Sequence, residues 1–333
     1  MNIYDVAQEA GVSIATVSRV LNDPSRVSEK TRKKVEEVLA KYDYTPNAIA
    51  RGLVVKSMNT IGVLTIDIRD TYYANVAYTI EHEFSKLGYN VILCNTGGDT
   101  EEKIRYMRIL AEKKVDGLIL VGSVFKDKRI DKAISALSQS MPIIIVNGFA
   151  EGVNTYSIIC DDSYGVSLCV DYLFKNGHKD MIYLQDADTF SAQSKVQGFK
   201  AGMEKNGLQL NANSILKVER GLEGGSQAIQ SLMNTGTPFT AIIAGEDITA
   251  VGAMKKLREY GQKVPEDVSV IGFNNSIIAK CSDPDLTSVD NKMENMGIGA
   301  VRILSDVLEG RNVPSKTVIT PDLVIRKSTG DKA

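Results

Sequence analysis

Nothing in the 333 residues approaches the roughly 18 consecutive apolar positions that a membrane-spanning helix requires. The first residues enter a helical pattern directly, without the charged and then apolar stretch of a secretory signal, so the expected compartment is the cytoplasm, with no membrane partner. Cysteine is scarce. Cys94, Cys160, Cys169 and Cys281 form no C-x-x-C pair and sit mostly in apolar patterns typical of reduced thiols, so neither a disulfide nor a zinc site is expected. Histidine is scarcer: His82 falls inside a helical pattern and His178 in the turn NGHKD, and neither has a base or metal ligand beside it. No G-x-G-x-x-G follows a strand pattern, G-x-x-x-x-G-K is absent, and the Gly221–Gly225 run precedes a helix without an acidic or basic constellation. Enzymatic chemistry, cofactors and metals are therefore not expected.

What is present begins at residues 2–22, NIYDVAQEAGVSIATVSRVLN. Asn2 is suited to cap a first helix over Ile3–Ala10, Asp5 favours its positive end, and Gly11 stops it by taking a positive φ at little cost. Ser13 caps a second helix. There Val17, Val20 and Leu21 form one apolar stripe that faces Val6 and Ala10. The opposite face carries Ile14, Ala15, Ser18, Arg19 and Asn22, small residues with no acid and one long cation. Two short helices over a tight turn with such a face read as a helix-turn-helix: Arg19 suits guanine O6 and N7, and Ser13, Thr16 and Ser18 can donate to phosphates. The plain alternative is a helical hairpin inside a larger core. Residues 28–42 supply a third helix, with Ser28 as cap, Val35, Val38 and Leu39 inward, and Lys30, Arg32, Lys33 and Lys34 outward as a solvated face or as phosphate contacts.

Charge alone would not establish DNA binding. Residues 1–58 hold nine Lys/Arg against seven Asp/Glu, the remainder thirty against thirty-four, so two copies of the head would be needed for tight phosphate contact. Pro46 can open a short helix over 47–54 that is too short to be stable alone. From Thr60 the period changes to short apolar runs, IGVLTI, YNVILC, VDGLILV, PIIIV and YSIIC, separated by helical patterns at about 72–87, 100–113 and 128–140. Alternation of that kind means βαβ units and a parallel sheet. It restarts after Asp161 with DMIYL, FTAIIA and VSVIGF and helices near 163–176, 191–206, 222–234 and 246–260, followed by a last helix at about 291–309 and a strand region at 317–326. The expected fold class is α/β, a helix-turn-helix head followed by a two-lobed, doubly wound parallel-sheet core resembling periplasmic binding proteins.

YDVA, AGVS, TVSRVLN and YTPNAIARGL resemble the lac/gal repressor family of bacterial transcription regulators, and TIGVL, VDGLIL, TAI and VPEDVSVIGF extend the resemblance along nearly the whole chain. Within the head, ATVSRV followed by RKKVEEVLAKYDYTPNAIARGL is most similar to catabolite control protein A and its relatives. The resemblance implies a head over 1–45, a hinge helix and linker over 46–58, and an effector-binding and dimerisation core over 59–333. Lobe one would take about 59–160 and 290–319, lobe two about 161–289 and 320–333, with three crossings between them. It implies that the hinge folds when two subunits meet on a pseudo-palindromic operator with a central CG step, Leu53 entering the minor groove beside Asn47, Ala50 and Arg51. Tyr4 joins the DNA-contacting set. No heptad pattern closes the chain at IRKSTG, so a coiled-coil tetramer is not expected.

Two such lobes place the C-terminal ends of their strands on either side of one cleft, where sheets of this kind bind ligands. The positions there that match the family's effector pocket are Asp70, Tyr72, Tyr73, Ser123, Asp161, Phe190, Lys195, Asp247, Phe273 and Asn274, with Asp67, Ile68, Gly122 and Glu246 beside them. Three depart from the common pattern: Lys195 replaces Arg, Asn274-Asn275 replace an Asp pair, and Glu246 replaces Asn. Lysine lacks the bidentate fork of arginine and Asn donates as well as accepts, so the effector is expected to differ from an ordinary sugar. The expected function is a sequence-specific regulator, a repressor, that binds double-stranded DNA as a homodimer under control of a small molecule, a sugar or sugar derivative. The alternative controlling partner is a seryl-phosphorylated phosphocarrier protein as co-repressor. A solute-binding receptor shares the core but would need an export signal and no head.

Overall fold

The computed structural model describes residues 2–42 and 57–332, except the side chain of Asn22. The expected hinge helix at 47–54 lies outside the described residues. The chain divides after residue 58 into two compact units.

The first unit holds α1 (Ile3–Ala10), α2 (Ile14–Asn22) and α3 (Glu29–Lys41). Asn2 and Asp5 close a reciprocal cap on α1: the Tyr4 amide donates to Asn2 Oδ1 at 2.9 Å and the Asn2 amide to Asp5 Oδ2 at 2.8 Å. Gly11 ends the helix at φ 61°, where a side chain would be strained. Ser13 and Ser28 accept amide hydrogen bonds from Thr16 and Thr31, fixing the starts of α2 and α3. Val6, Ala7, Ala10, Val17, Val20 and Val35 form the small shared core. This leaves the far side of α2 facing solvent.

The second unit runs β1 (Thr60–Thr65), α4 (Thr71–Lys86), β2 (Asn90–Asn95), α5 (Thr100–Glu112), β3 (Gly117–Val121), α6 (Lys128–Leu137), β4 (Ile143–Val146) and β5 (Thr155–Cys160). It continues through α7 (Asp162–Lys175), β6 (Met181–Gln185), α8 (Phe190–Lys205), β7 (Ile215–Lys217), α9 (Leu222–Thr235), β8 (Ala241–Ala244), α10 (Asp247–Glu259) and β9 (Ser269–Phe273). Then follow α11 (Ile277–Cys281), β10 (Thr287–Asp290), α12 (Met293–Leu308), β11 (Lys316–Ile319) and β12 (Asp322–Val324).

These strands form two six-stranded sheets, ordered β11-β5-β4-β3-β1-β2 and β12-β10-β9-β8-β6-β7, parallel throughout except for β12 against β10. Helices cover both faces of each: α4 and α12 pack on one side of the first sheet and α5 and α6 on the other, while α7 and α8 oppose α9 and α10 on the second. Burial on both faces explains the nearly continuous apolar runs. The chain passes between lobes three times, at Asp161, at Asn291-Lys292 and at Thr320-Pro321. The single strand region expected at 317–326 is thus two strands, one per sheet, split by the third crossing. β7, α11 and β10 are additions to the expected elements; each is only three to five residues long and carries too little periodicity to read.

Candidate functional site

In the head, Tyr4 is 66% exposed and Ile14 40%, although both are large and apolar in part. Ser13, Ala15 and Arg19 are exposed beside them, and Thr16 and Ser18 are half-buried. Arg19 has no ion-pair partner among the described residues, whereas Lys41 is bound to Glu9 at 2.7 Å and Lys33 to Glu29 at 3.2 Å. A long cation held clear of acids on a surface of small residues can approach a polyanion or a base edge without first breaking a pair. The Asn22 side chain, Asn47, Ala50, Arg51 and Leu53 lie outside the described residues.

In the core, parallel strands point their C-terminal ends into the gap between lobes, and the residues just past those ends line it: Gly122 after β3, Asn147 after β4, Asp186 after β6, Glu246 near the end of β8, Asn274 after β9 and Asn291 after β10. Tyr72, Tyr73, Ser123 and Lys195 face the same cavity. Gly122 adopts φ +107° and a Cβ there would stand 2.7 Å from the Tyr73 ring, so the missing side chain is what lets Tyr73 reach the cleft. The free volume there is about 60 Å³, far below the ~300–1,000 Å³ of ordinary ligand pockets. The cleft is narrow at this point.

Arg220 accounts for much of that narrowing. It follows β7 in the second lobe, donates through Nε to Glu246 at 2.8 Å and through its end nitrogen to the same carboxylate, and pairs with Asp70 of the first lobe at 2.6 Å. Asp70 is also the cap of α4, accepting from the Tyr72 amide at 2.8 Å. The guanidinium therefore bridges the lobes. Its side chain is about one-third exposed (36%), so the bridge sits at the rim and is partly screened. Burial, opposed by Arg220 and reinforced by Asp186, pushes the Glu246 carboxyl up to about 7. A second cross-lobe contact is aromatic: Phe149 meets Phe190 edge-on at 5.1 Å between centroids.

Lys195 is buried; its Nζ donates to the Gly245 carbonyl at 2.8 Å and lies 3.8 Å from the centre of the Phe273 ring. Phe273 is thus a floor beneath Lys195 and does not itself line the cavity. Asp161 is exposed and caps α7 by accepting from the Tyr164 amide; its neighbour Asp162 turns inward and accepts from Ser191 Oγ. Phe190 stands at the rim against Phe149. Asp247 is consumed structurally, accepting from the Ser276 amide and hydroxyl at 2.7 Å each and from Ser288 at 2.6 Å. It faces a recess outside the cavity, along with Asp67 and Asp70. Ile68 is exposed.

The geometry thus adds Arg220, Asp186, Asn147 and Asn291 to the set, with Asp162 behind the lining residue Ser191, residues the sequence reading did not single out. A signal for Arg220 would have needed the three-residue β7 that places it. His178, expected in a turn, is buried and bonded on both ring nitrogens, a role in holding the fold.

Residues 2–47 match the profile described as bacterial regulatory proteins, lacI family, and residues 170–329 that of a periplasmic binding protein-like domain. An HTH-type transcriptional regulator of Lachnoclostridium phytofermentans (strain ATCC 700394 / DSM 18823 / ISDg) is 40% identical over 99% of both chains. The chain belongs to the lacI family of bacterial regulatory proteins. Catabolite control protein A of Priestia megaterium is another relative, 32% identical over 99% of both chains. Among solved structures, the lac repressor dimer bound to operator and the anti-inducer ONPF superposes with a TM-score of 0.89 at 28% identity, covering 99% of each chain. This lacI-family chain is accordingly a DNA-binding transcription regulator of the repressor type and not an enzyme. Among its described residues no helix is long and apolar enough to cross a membrane.

Proposed function

We propose that this lacI-family regulator binds a pseudo-palindromic operator as a homodimer and that a small molecule in the interlobe cleft controls its grip. In this reading residues 1–45 are the DNA-binding head, 46–58 the hinge and 59–333 the effector-binding and dimerisation core, acting in the cytoplasm. Tyr4, Ser13, Ile14, Ala15, Thr16, Ser18, Arg19 and Asn22 meet the major groove, and Asn47, Ala50, Arg51 and Leu53 the minor groove. Tyr72, Tyr73, Ser123, Lys195, Asn274 and Glu246 meet the effector. The observation that carries the reading is the Arg220 bridge from Glu246 to Asp70 across the cleft. A ligand that enters must rearrange that bridge and so changes how the lobes lie, which is the differential interaction that allosteric control requires.

The likeness to an operator-bound dimer of lac repressor supports the dimer. Selection of bound sequences from random duplexes should yield an inverted repeat, and a single half-site should bind far more weakly than the full repeat. Equal affinity for the two would overturn the dimer reading. On the selected operator, a panel of sugars and sugar phosphates is set against seryl-phosphorylated phosphocarrier protein. A change in operator affinity caused only by the phosphoprotein would move control from the cleft to a protein partner.

A further inference from the structure

The cleft is short of positive charge. Asp186 and Glu246 line it, Asp162 stands behind the lining residue Ser191 and Asp70 at the Arg220 bridge on the rim, against Arg220 and Lys195 as the only cations lining it among the described residues. Both cations are engaged: Arg220 is divided between Asp70 and Glu246, and Lys195 is held by the Gly245 carbonyl and the Phe273 ring. Asp186, which lines the cavity, accepts from Thr249 Oγ1 at 2.7 Å through Oδ2, and no described residue donates to its Oδ1. Asp162, 3% exposed, has its Oδ1 without a donor in hydrogen-bonding distance.

Two further polar atoms at the cavity are also unpartnered although their residues are more than nine-tenths buried. They are the Tyr72 hydroxyl and Asn291 Oδ1, the latter left over because Asn291 Nδ2 already donates to Asn274 at 2.8 Å. Buried polar atoms in a native fold almost always find partners, so the Tyr72 hydroxyl and Asn291 Oδ1, together with the Asp186 carboxylate, describe the ligand in negative. They ask for a molecule rich in donors.

We propose that the cleft takes a compact polyhydroxylated amine, of which an amino sugar is the simplest kind, its ammonium group set against Asp186 and Glu246 and its hydroxyls against Tyr72 and Asn291. The inference rests on the reading of the cleft as the effector site. A phosphorylated ligand would bring more negative charge to a cleft in and around which acids outnumber cations, and a neutral sugar would leave the Asp186 carboxylate without a counter-charge. An ammonium group corrects both. Burial, against the pull of Arg220 and with Asp186 beside it, holds the Glu246 carboxyl up at about 7, and burial raises that of Asp162 against the pull of Lys195, so the cations present do not offset the burial of these acids. Gly245 packs so closely on Asp186 that a Cβ there would stand 2.3 Å from Oδ1, so the missing side chain is what leaves room for the carboxylate.

The test uses the full-length protein and matched probes that differ in one group: 2-amino- and 6-amino-deoxyhexoses, the parent hexoses, and hexose 6-phosphates, compared by thermal unfolding and calorimetric titration. The amino sugars should raise the unfolding temperature and bind at least about tenfold more tightly than the parent sugars, the phosphates least of all. Asp186→Asn, which keeps the shape and the Thr249 hydrogen bond, should erase that preference while the circular dichroism and cooperative thermal unfolding of the ligand-free variant confirm that it is folded. Preference for the neutral or phosphorylated probes overturns the amine and leaves the effector site standing. Unchanged amine preference in Asp186→Asn overturns the placement. Silence from every probe overturns both the amine and the reading of the cleft as a small-molecule site.

Discussion

Arg19 reaches solvent from a helix whose opposite side is locked into the head core by Val17 and Val20, so its direction is set by packing and not by chance. If it reads guanine, Arg19→Ala should cost about 1–3 kcal/mol of operator binding and relax base choice at one position per half-site. Competition against operators substituted position by position checks this; uniform weakening on all sequences would make Arg19 a phosphate contact. His178 behaves differently because it is buried. The Gly330 carbonyl can only accept, so Nε2 at 3.0 Å carries the proton and Nδ1 accepts from the Thr240 hydroxyl at 2.9 Å. Burial lowers its pKa, against the upward pull of that carbonyl. Its contribution to stability should therefore be complete above the unfolded histidine value of about 6.5 and be lost as pH falls through the lower folded value. Unfolding temperatures between pH 7 and 5 should fall in the native protein and fall less steeply in His178→Asn. The polarity of single residues was the least legible part of the sequence: Asp161 and Asp162 are identical in type and adjacent, and only the crossing geometry decides which faces inward.

Helices and strands were far more legible, for a physical reason. A helix such as α12 repeats its apolar face over several turns, and strands buried on both sides read as unbroken apolar runs, so both types survive an uncertainty of a residue or two at their ends. Capping also announces itself, and α1 and α2 lie where Asn2, Gly11 and Ser13 imply. What stayed hidden was β7, three residues long, and with it Arg220, the residue that joins the lobes. Its position depends on pairing with β6, a long-range contact that no local pattern encodes. Arg220→Ala removes the charge that spans Asp70 and Glu246 and leaves their two carboxylates facing each other across the cleft. The ligand-free protein should then open, read as a larger radius of gyration in solution scattering than for the unsubstituted protein. An unchanged radius would mean that the aromatic contact of Phe149 with Phe190 and the chain crossings suffice to hold the lobes together.

At the level of the assembled molecule, the proposed control passes from the cleft to the operator through residues 47–54. In that scheme the ligand sets the arrangement of the lobes, the lobes set the spacing of the two hinge segments in the dimer, and only close spacing allows both segments to fold and both copies of Leu53 to enter the minor groove. Gly52 and the Val54-Val55 pair lower the intrinsic helix propensity of the segment, so its folding should depend on DNA and partner. Leu53→Ala should weaken specific binding and reduce the bend of the operator, because the apolar wedge that unstacks the central step is gone. Effector affinity measured without DNA should stay nearly unchanged, since the substitution leaves the cleft intact. If Leu53 only packs in a dimer interface, the result reverses: sedimentation of the free protein would show a weakened dimer while the bend on saturated operator stays normal. The two measurements on one variant therefore decide whether Leu53 is the coupling lever or a packing residue. Only a normal free dimer together with a reduced bend supports the lever.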